Sequence, residues 1–135
     1  RKADYHSFNM TTLVLAPISV GELIDKITIL ELKKTKTNDL SRLKNILVEL
    51  GQLLRILDTI VVPPEIDELR TKLFKVNSEL WEIEDSKRQC EKTQTFDSAF
   101  IQLARNVYLK NDLRASIKKQ INQITNSSII EEKIY

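Results

Sequence analysis

The sequence predicts an all-α antiparallel bundle of about four helices, with a long coiled-coil-like helical hairpin. Three observations point there. Leu40, Leu43, Leu47, Leu50, Leu54, Leu57 and Val61 alternate steps of three and four, and after Pro63-Pro64 the beat resumes at Ile66, Leu69, Leu73, Val76, Leu80 and Ile83, then Cys90. Such stripes mark amphipathic helices that cannot bury their apolar faces alone. Among 135 residues there are only 2 Gly and 3 Pro, so little interrupts a helix between the capping signals.

The first helix has the strongest start signal. Ser19 with Glu22 forms the sequence pattern of a capping box, and Ile18 and Leu23 stand where a hydrophobic staple would close round it. Val20, Leu23, Ile24, Ile27 and Leu30 then trace an apolar stripe ending in Lys33, Lys34 and Lys36, cations suited to a helix C-terminus. Thr37-Asn38-Asp39 breaks that helix and caps the next, which spans about 39–60. A third helix is expected over about 64–92, with Pro64 in its first turn and Glu65, Asp67 and Glu68 complementing the dipole. A fourth is expected over about 97–125, ending at Asn126-Ser127-Ser128. The two heptad runs, joined at the proline corner, are expected to fold back on each other as the hairpin. Residues 1–17 read as a leader or extended arm and 18–135 as a single helical domain.

Composition narrows the function classes. A net charge of +2, evenly spread, carries no polyanion signal, and no basic face with interleaved aromatics suggests nucleic acid. No apolar run approaches the ~18 residues of a membrane span. The single Cys90 excludes an internal disulfide and fits a reducing, cytoplasmic setting; on the heptad beat it reads as core, not nucleophile. His6 is the only histidine and lies in the leader, which leaves no His-based triad or metal site. Gly21 and Gly51 form no phosphate loop; Gly51 is expected to allow close helix approach. Glu79 with Glu82 resembles half of a magnesium-carboxylate motif, but Tyr108 stands where the matching motif would begin. No cofactor or catalytic residue is expected.

One polar feature stands out. Beside its heptad seam the third helix carries Phe74, Asn77, Trp81, Glu84, Asp85 and Arg88 at helical spacing. The fourth loses its apolar beat after Val107, and its inward-tending positions become Tyr108, Asn111, Asp112, Arg114, Ala115 and Lys118. Residues 65–92 hold eight acids and six bases, a net of −2, whereas 97–122 hold five bases and two acids, a net of +3. That opposite bias suggests an ionic seam between the two helices. Two readings fit. The stripe is a salt-bridge brace fixing helix register, in which case truncating Arg88 or Arg114 strands a buried carboxylate of Glu84, Asp85 or Asp112. Alternatively it is a pocket, with Trp81 and Tyr108 as flat walls and Arg88, Arg105 or Arg114 gripping a carboxylate or phosphate.

The segment Ile18–Glu31, the stretches Asn77–Asp85, Phe96–Tyr108 and Asn111–Ala115, and the tail Glu131–Tyr135 resemble the signatures of an all-helical domain family of bacteria and their phages to which no activity is assigned. The resemblance spans 18–135. It places family motif positions at Glu22, Asp25, Lys26, Trp81, Glu84, Asp85, Arg105, Tyr108, Asn111, Asp112 and Arg114. It also implies a setting near glycosyltransferase and surface-polysaccharide genes, hence an accessory role in glycan assembly. The expected function is a non-catalytic interaction or ligand-sensing module, with a protein partner or a small anionic ligand. The alternative is a small enzyme or binding protein for an anionic metabolite such as a sugar nucleotide, held between the third and fourth helices. A homodimer is expected because Ile46, Leu53, Ile60 and Ile56 add more apolar surface than one neighbouring helix would cover.

Overall fold

The computed structural model describes residues 11–135 and, among them, four α-helices and no strand: α1 (Val20–Lys36), α2 (Leu40–Asp58), α3 (Ile66–Thr93) and α4 (Ser98–Ile124). No helix is long and apolar enough to cross a membrane. Of the expected leader, residues 1–10, with His6 and Met10, lie outside the described residues, and residues 11–18 are exposed and form neither helix nor strand.

Three of the four described helices begin at a side-chain cap. The Ser19 hydroxyl oxygen accepts the Glu22 N–H, Asp39 accepts those of Ser41 and Arg42, and Asp97 accepts that of Phe100. The Pro63 and Pro64 carbonyls accept the N–H groups of Ile66 and Asp67, so the proline pair primes α3. At the α3–α4 corner Gln94 takes the left-handed conformation at φ 52°, and Thr95 N–H closes onto the Cys90 carbonyl.

The shortest helix is the hub. α1 packs against α2, α3 and α4, whereas among the described residues the backbone of α2 runs close to no helix but α1, and only Leu57 near its end also reaches the core shared with α3 and α4. One side of α1 (Leu23, Ile27 and Leu30) forms a core with Leu50 and the partly buried Ile46, Leu53, Leu54, Leu57 and Ile60 of the α2 strand of chain. The other side gives Ile24 to a second core with Ile66, Leu69, Leu73 and Val76 of α3 and Ile117 and Ile121 of α4.

The bundle is therefore all-α, as expected, but its long hairpin is built from α3 and α4, not from α2 and α3. The reason is that α1 satisfies α2, which leaves α3 to pair with its other sequence neighbour. In α2 the inward rows are Leu50 and Leu57 with Ile46, Leu53 and Ile60. Ile46, Leu53 and Ile60, expected to face a second copy, are thus part of the internal core. The apolar residues of α2 that remain outside are Leu40, Leu47, Val48 and Ile56, and Val61 just beyond the helix is 96% exposed. Beyond Ile83 the α3–α4 hairpin continues past α1, and no residue from Glu84 to Ser116 is fully buried.

The two glycines exchange roles. A Cβ on Gly51 would meet only the end of Arg55, 3.8 Å away, so no helix approaches there. Because mid-helix glycine costs roughly 0.5–1 kcal/mol relative to alanine, Gly51→Ala is expected to stabilise the fold by about that amount. A rise in the urea midpoint is the measurement; a fall would mean that another chain packs against Gly51. The close approach occurs instead at Gly21, against α4.

Candidate functional site

Where α1 crosses the α3–α4 hairpin, its polar residues Glu22, Asp25 and Thr28 face inward. Asp25 is completely buried. Both its carboxylate oxygens accept from Arg114 Nε at 3.1 Å, and Oδ2 also accepts from Arg114 Nη2. Asn77 Nδ2 donates to Asp25 Oδ1 at 2.8 Å and to Thr28 Oγ1 at 3.0 Å, while the Thr28 hydroxyl donates to the Asp25 carbonyl. Lys118 Nζ lies 3.6 Å from Asp25 and donates to Glu22. Among the described residues no buried side-chain nitrogen or oxygen lacks a partner.

Burial opposes the charge on Asp25, but the hydrogen bonds from Arg114 and Asn77 and the charges of Arg114 and Lys118 outweigh it. They hold the carboxyl below its ordinary value. The hydrogen bond to Asp25 in turn raises the Arg114 pKa, against the opposing effect of its own burial. A carboxylate held this firmly in its ionised form is a weak general base, and its oxygens are already committed.

A second group of contacts closes the start of α1. Val20 N–H donates to Ser127 Oγ, Gly21 N–H to Asn122 Oδ1 at 2.7 Å, and Glu22 N–H to Ser19 Oγ. Ser19 Oγ–H donates to both carboxylate oxygens of Glu131, at 2.7 and 2.8 Å, and Asn122 Nδ2 reaches the same carboxylate at 3.3 Å. Residues 127–135 thus form a strap that runs back along α4, where Lys133 meets Asp112 at 3.5 Å. Burial would raise the Glu131 pKa, but the Ser19 hydrogen bond, its own backbone amide, Lys118 and Asn122 lower it.

Two cavities flank Arg114. One, of about 340 Å³, is a cleft with Ile29 and Leu32 of α1 and Leu80 and Trp81 of α3 as apolar walls; Asn77, Glu84, Asp85, Arg88 and Arg114 provide its polar lining. Lys36 reaches over the Trp81 ring at 6.0 Å and pairs with Glu82. Among the described residues Arg88 has no carboxylate within ion-pairing distance. The other cavity, of about 550 Å³, lies between α4 and the strap.

The polar stripe therefore divides. Asn77, Trp81, Glu84, Asp85 and Arg88 share the cleft, while Phe74, 37% exposed, does not line it. Asn111 touches Arg114 and Asp112 meets the strap. Tyr108 is exposed and lines neither cavity, so it is not the second wall; α1 provides that wall. Arg105 is exposed and has no ion-pair partner among the described residues, Lys26 is an exposed partner of Glu22 at 3.9 Å, and Glu84 pairs with Lys87. Of the expected ionic seam between α3 and α4, one pair forms among the described residues, Glu79 with Lys110 at 2.8 Å. Arg114 and Lys118 turn instead to Asp25 and Glu22 of α1, because those carboxylates are the more deeply buried. Glu79 and Glu82 diverge to different lysines, and no cluster suited to a metal ion occurs among the described residues. The strap contacts, Ser19, Asn122 and Glu131, were not singled out as site residues. Their sequence signals are the chemistry of an N-cap serine, an asparagine near a helix end and, for Ser19 and Glu131, their place in the segments that resemble the family.

Fold and site together define a small four-helix protein organised round a buried Asp–Arg pair with a cleft on each side of the arginine. The chain belongs to a family of unknown function, DUF6165, whose model matches residues 14–135. No curated protein and no solved structure matches it.

Proposed function

We propose that the protein is a non-catalytic binding module whose Trp81 cleft takes a small ligand with a flat apolar part and an anionic group. The carrying observation is Arg88: it lines an open cleft beside Trp81 and is unpaired among the described residues, whereas Arg114 commits Nε and Nη2 to Asp25. An unpaired guanidinium next to a half-buried indole offers a charged fork beside a stacking face. The volume suits a small metabolite. Asp25, locked in its ion pair, supplies no base, which supports binding over turnover. In the setting implied by the sequence resemblance, the ligand is an anionic metabolite such as a sugar nucleotide, and the module is an accessory of glycan assembly. Thermal-shift and calorimetric screening against nucleotide sugars is the test. Arg88→Ala is expected to leave the stability measured by urea unfolding within about 0.5 kcal/mol of the parent and to abolish binding. A clearly destabilised Arg88→Ala, or unchanged affinity, would overturn the cleft as the site.

We further propose that the protein is a homodimer joined through α2. Support comes from Leu40, Leu47, Val48 and Ile56, apolar side chains of α2 that face solvent. Leu47→Lys is expected to shift sedimentation equilibrium from two chains to one; a parent protein that sediments as a single chain at micromolar concentration would refute the dimer.

A further inference from the structure

We propose that the cavity between α4 and the C-terminal strap is a second binding site, for small carboxylate or phosphate anions, which the strap holds closed through Glu131. Its volume, about 550 Å³, lies within the range of ligand pockets. Arg114, Lys118 and Lys119 form its wall on α4, and Lys133 faces them from the strap. Lys119 has no carboxylate within ion-pairing distance among the described residues. Arg114 commits Nε and Nη2 to Asp25, but its Nη1 has only a long contact, 3.5 Å, with Asn111. The site thus keeps cationic donors in reserve after the buried pair is satisfied, and these donors suit carboxylate or phosphate oxygens.

The strap is attached in a way that lets it open. Its anchors are polar: Ser127 and Glu131 at the start of α1 and Lys133 at Asp112. Of its larger apolar side chains Ile129 is half-buried, whereas Ile130, Ile134 and Tyr135 are exposed, Ile134 by 87% and Tyr135 by 98%. Lifting it therefore breaks hydrogen bonds that water replaces and uncovers little apolar surface. Glu131 lines the cavity and feels the charge of Lys118, whose direct partners are Glu22 and Asp25, so an incoming carboxylate or phosphate competes with the Glu131 carboxylate for the site. This site is independent of the Trp81 cleft, from which only Arg114 is shared.

The test is a titration of the ¹⁵N-labelled full chain, parent and Glu131→Ala, with inorganic phosphate and separately with succinate. Unchanged far-UV circular dichroism confirms that the variant is folded. Saturable shifts are expected over Lys118–Asn122 and Ile129–Tyr135, with at least one of the two anions binding tenfold or more tightly to Glu131→Ala than to the parent. Lys119→Ala should weaken that binding at least fivefold. Saturation by phosphate alone assigns a phosphate ligand, and by succinate alone a carboxylate. Absence of saturable shifts in both proteins, shifts confined to other segments, or equal affinity of parent and Glu131→Ala would overturn the proposal.

Discussion

Arg114→Ala is expected to lower stability by about 3–5 kcal/mol, the usual cost of removing one member of a buried ion pair. Asp25 would remain wholly buried, with Asn77 and a more distant Lys118 as its partners. Asp25→Asn should act in the same direction, because it leaves the guanidinium facing a neutral amide. Arg114→Lys should recover only part of the loss, since an ammonium cannot bind both carboxylate oxygens as a fork. The pH dependence follows in sign. The folded carboxyl of Asp25 titrates below its ordinary value of 3.8. Its contribution is therefore fully present above that value and is lost as the pH falls through the lower folded value. In Arg114→Ala, burial is opposed by fewer donors, and acid unfolding should begin at higher pH. Urea midpoints at neutral pH and an acid titration by circular dichroism measure both effects. A midpoint equal to the parent's would show that the pair does not hold α1 to α4.

Gly21→Ala is expected to cost about 2–4 kcal/mol, combining overpacking with a strained buried hydrogen bond. An added Cβ would stand 2.6 Å from the Lys118 carbonyl oxygen and 2.9 Å from Asn122 Oδ1. The first is backbone of a packed helix and cannot yield by itself. The second is the acceptor of the Gly21 N–H, so moving it strands a buried donor. The gain in helix propensity from alanine, roughly 0.5–1 kcal/mol, is smaller than this loss. The strap should loosen as well, since Asn122 also holds Glu131. Faster amide exchange at Val20 and Gly21 would report that loosening. A Gly21→Ala variant as stable as the parent would mean that α1 and α4 can separate without cost.

The helices themselves were legible, nearly to the residue, because capping and periodicity are local. Ser19, Asp39 and Asp97 each accept an N–H in the first turn of their helix, and expected and observed ends agree within about two residues. The cleft was half legible. Asn77, Trp81, Glu84, Asp85 and Arg88 share one face of α3 by spacing alone, and they share the cleft. Its other wall was not, because Ile29 and Leu32 look like ordinary core residues of α1. The partner of Arg114 was likewise hidden: Asp25 is 89 residues away in the chain, and nothing near Arg114 in sequence distinguishes it from Asp112.

The sequence by itself determined the four helices of the described residues, where they start and stop, and which stripe of each is apolar. It also determined that α3 carries a polar face suited to a site. Only the tertiary structure decided which stripe meets which. A heptad run states that a helix needs a partner but not which one, since any complementary apolar face removes the same surface from water. α1, buried on several sides, took α2 for itself and left α3 to α4. That choice turned Asp25 toward Arg114, brought Gly21 against the α4 backbone and left Arg88 unpaired beside Trp81.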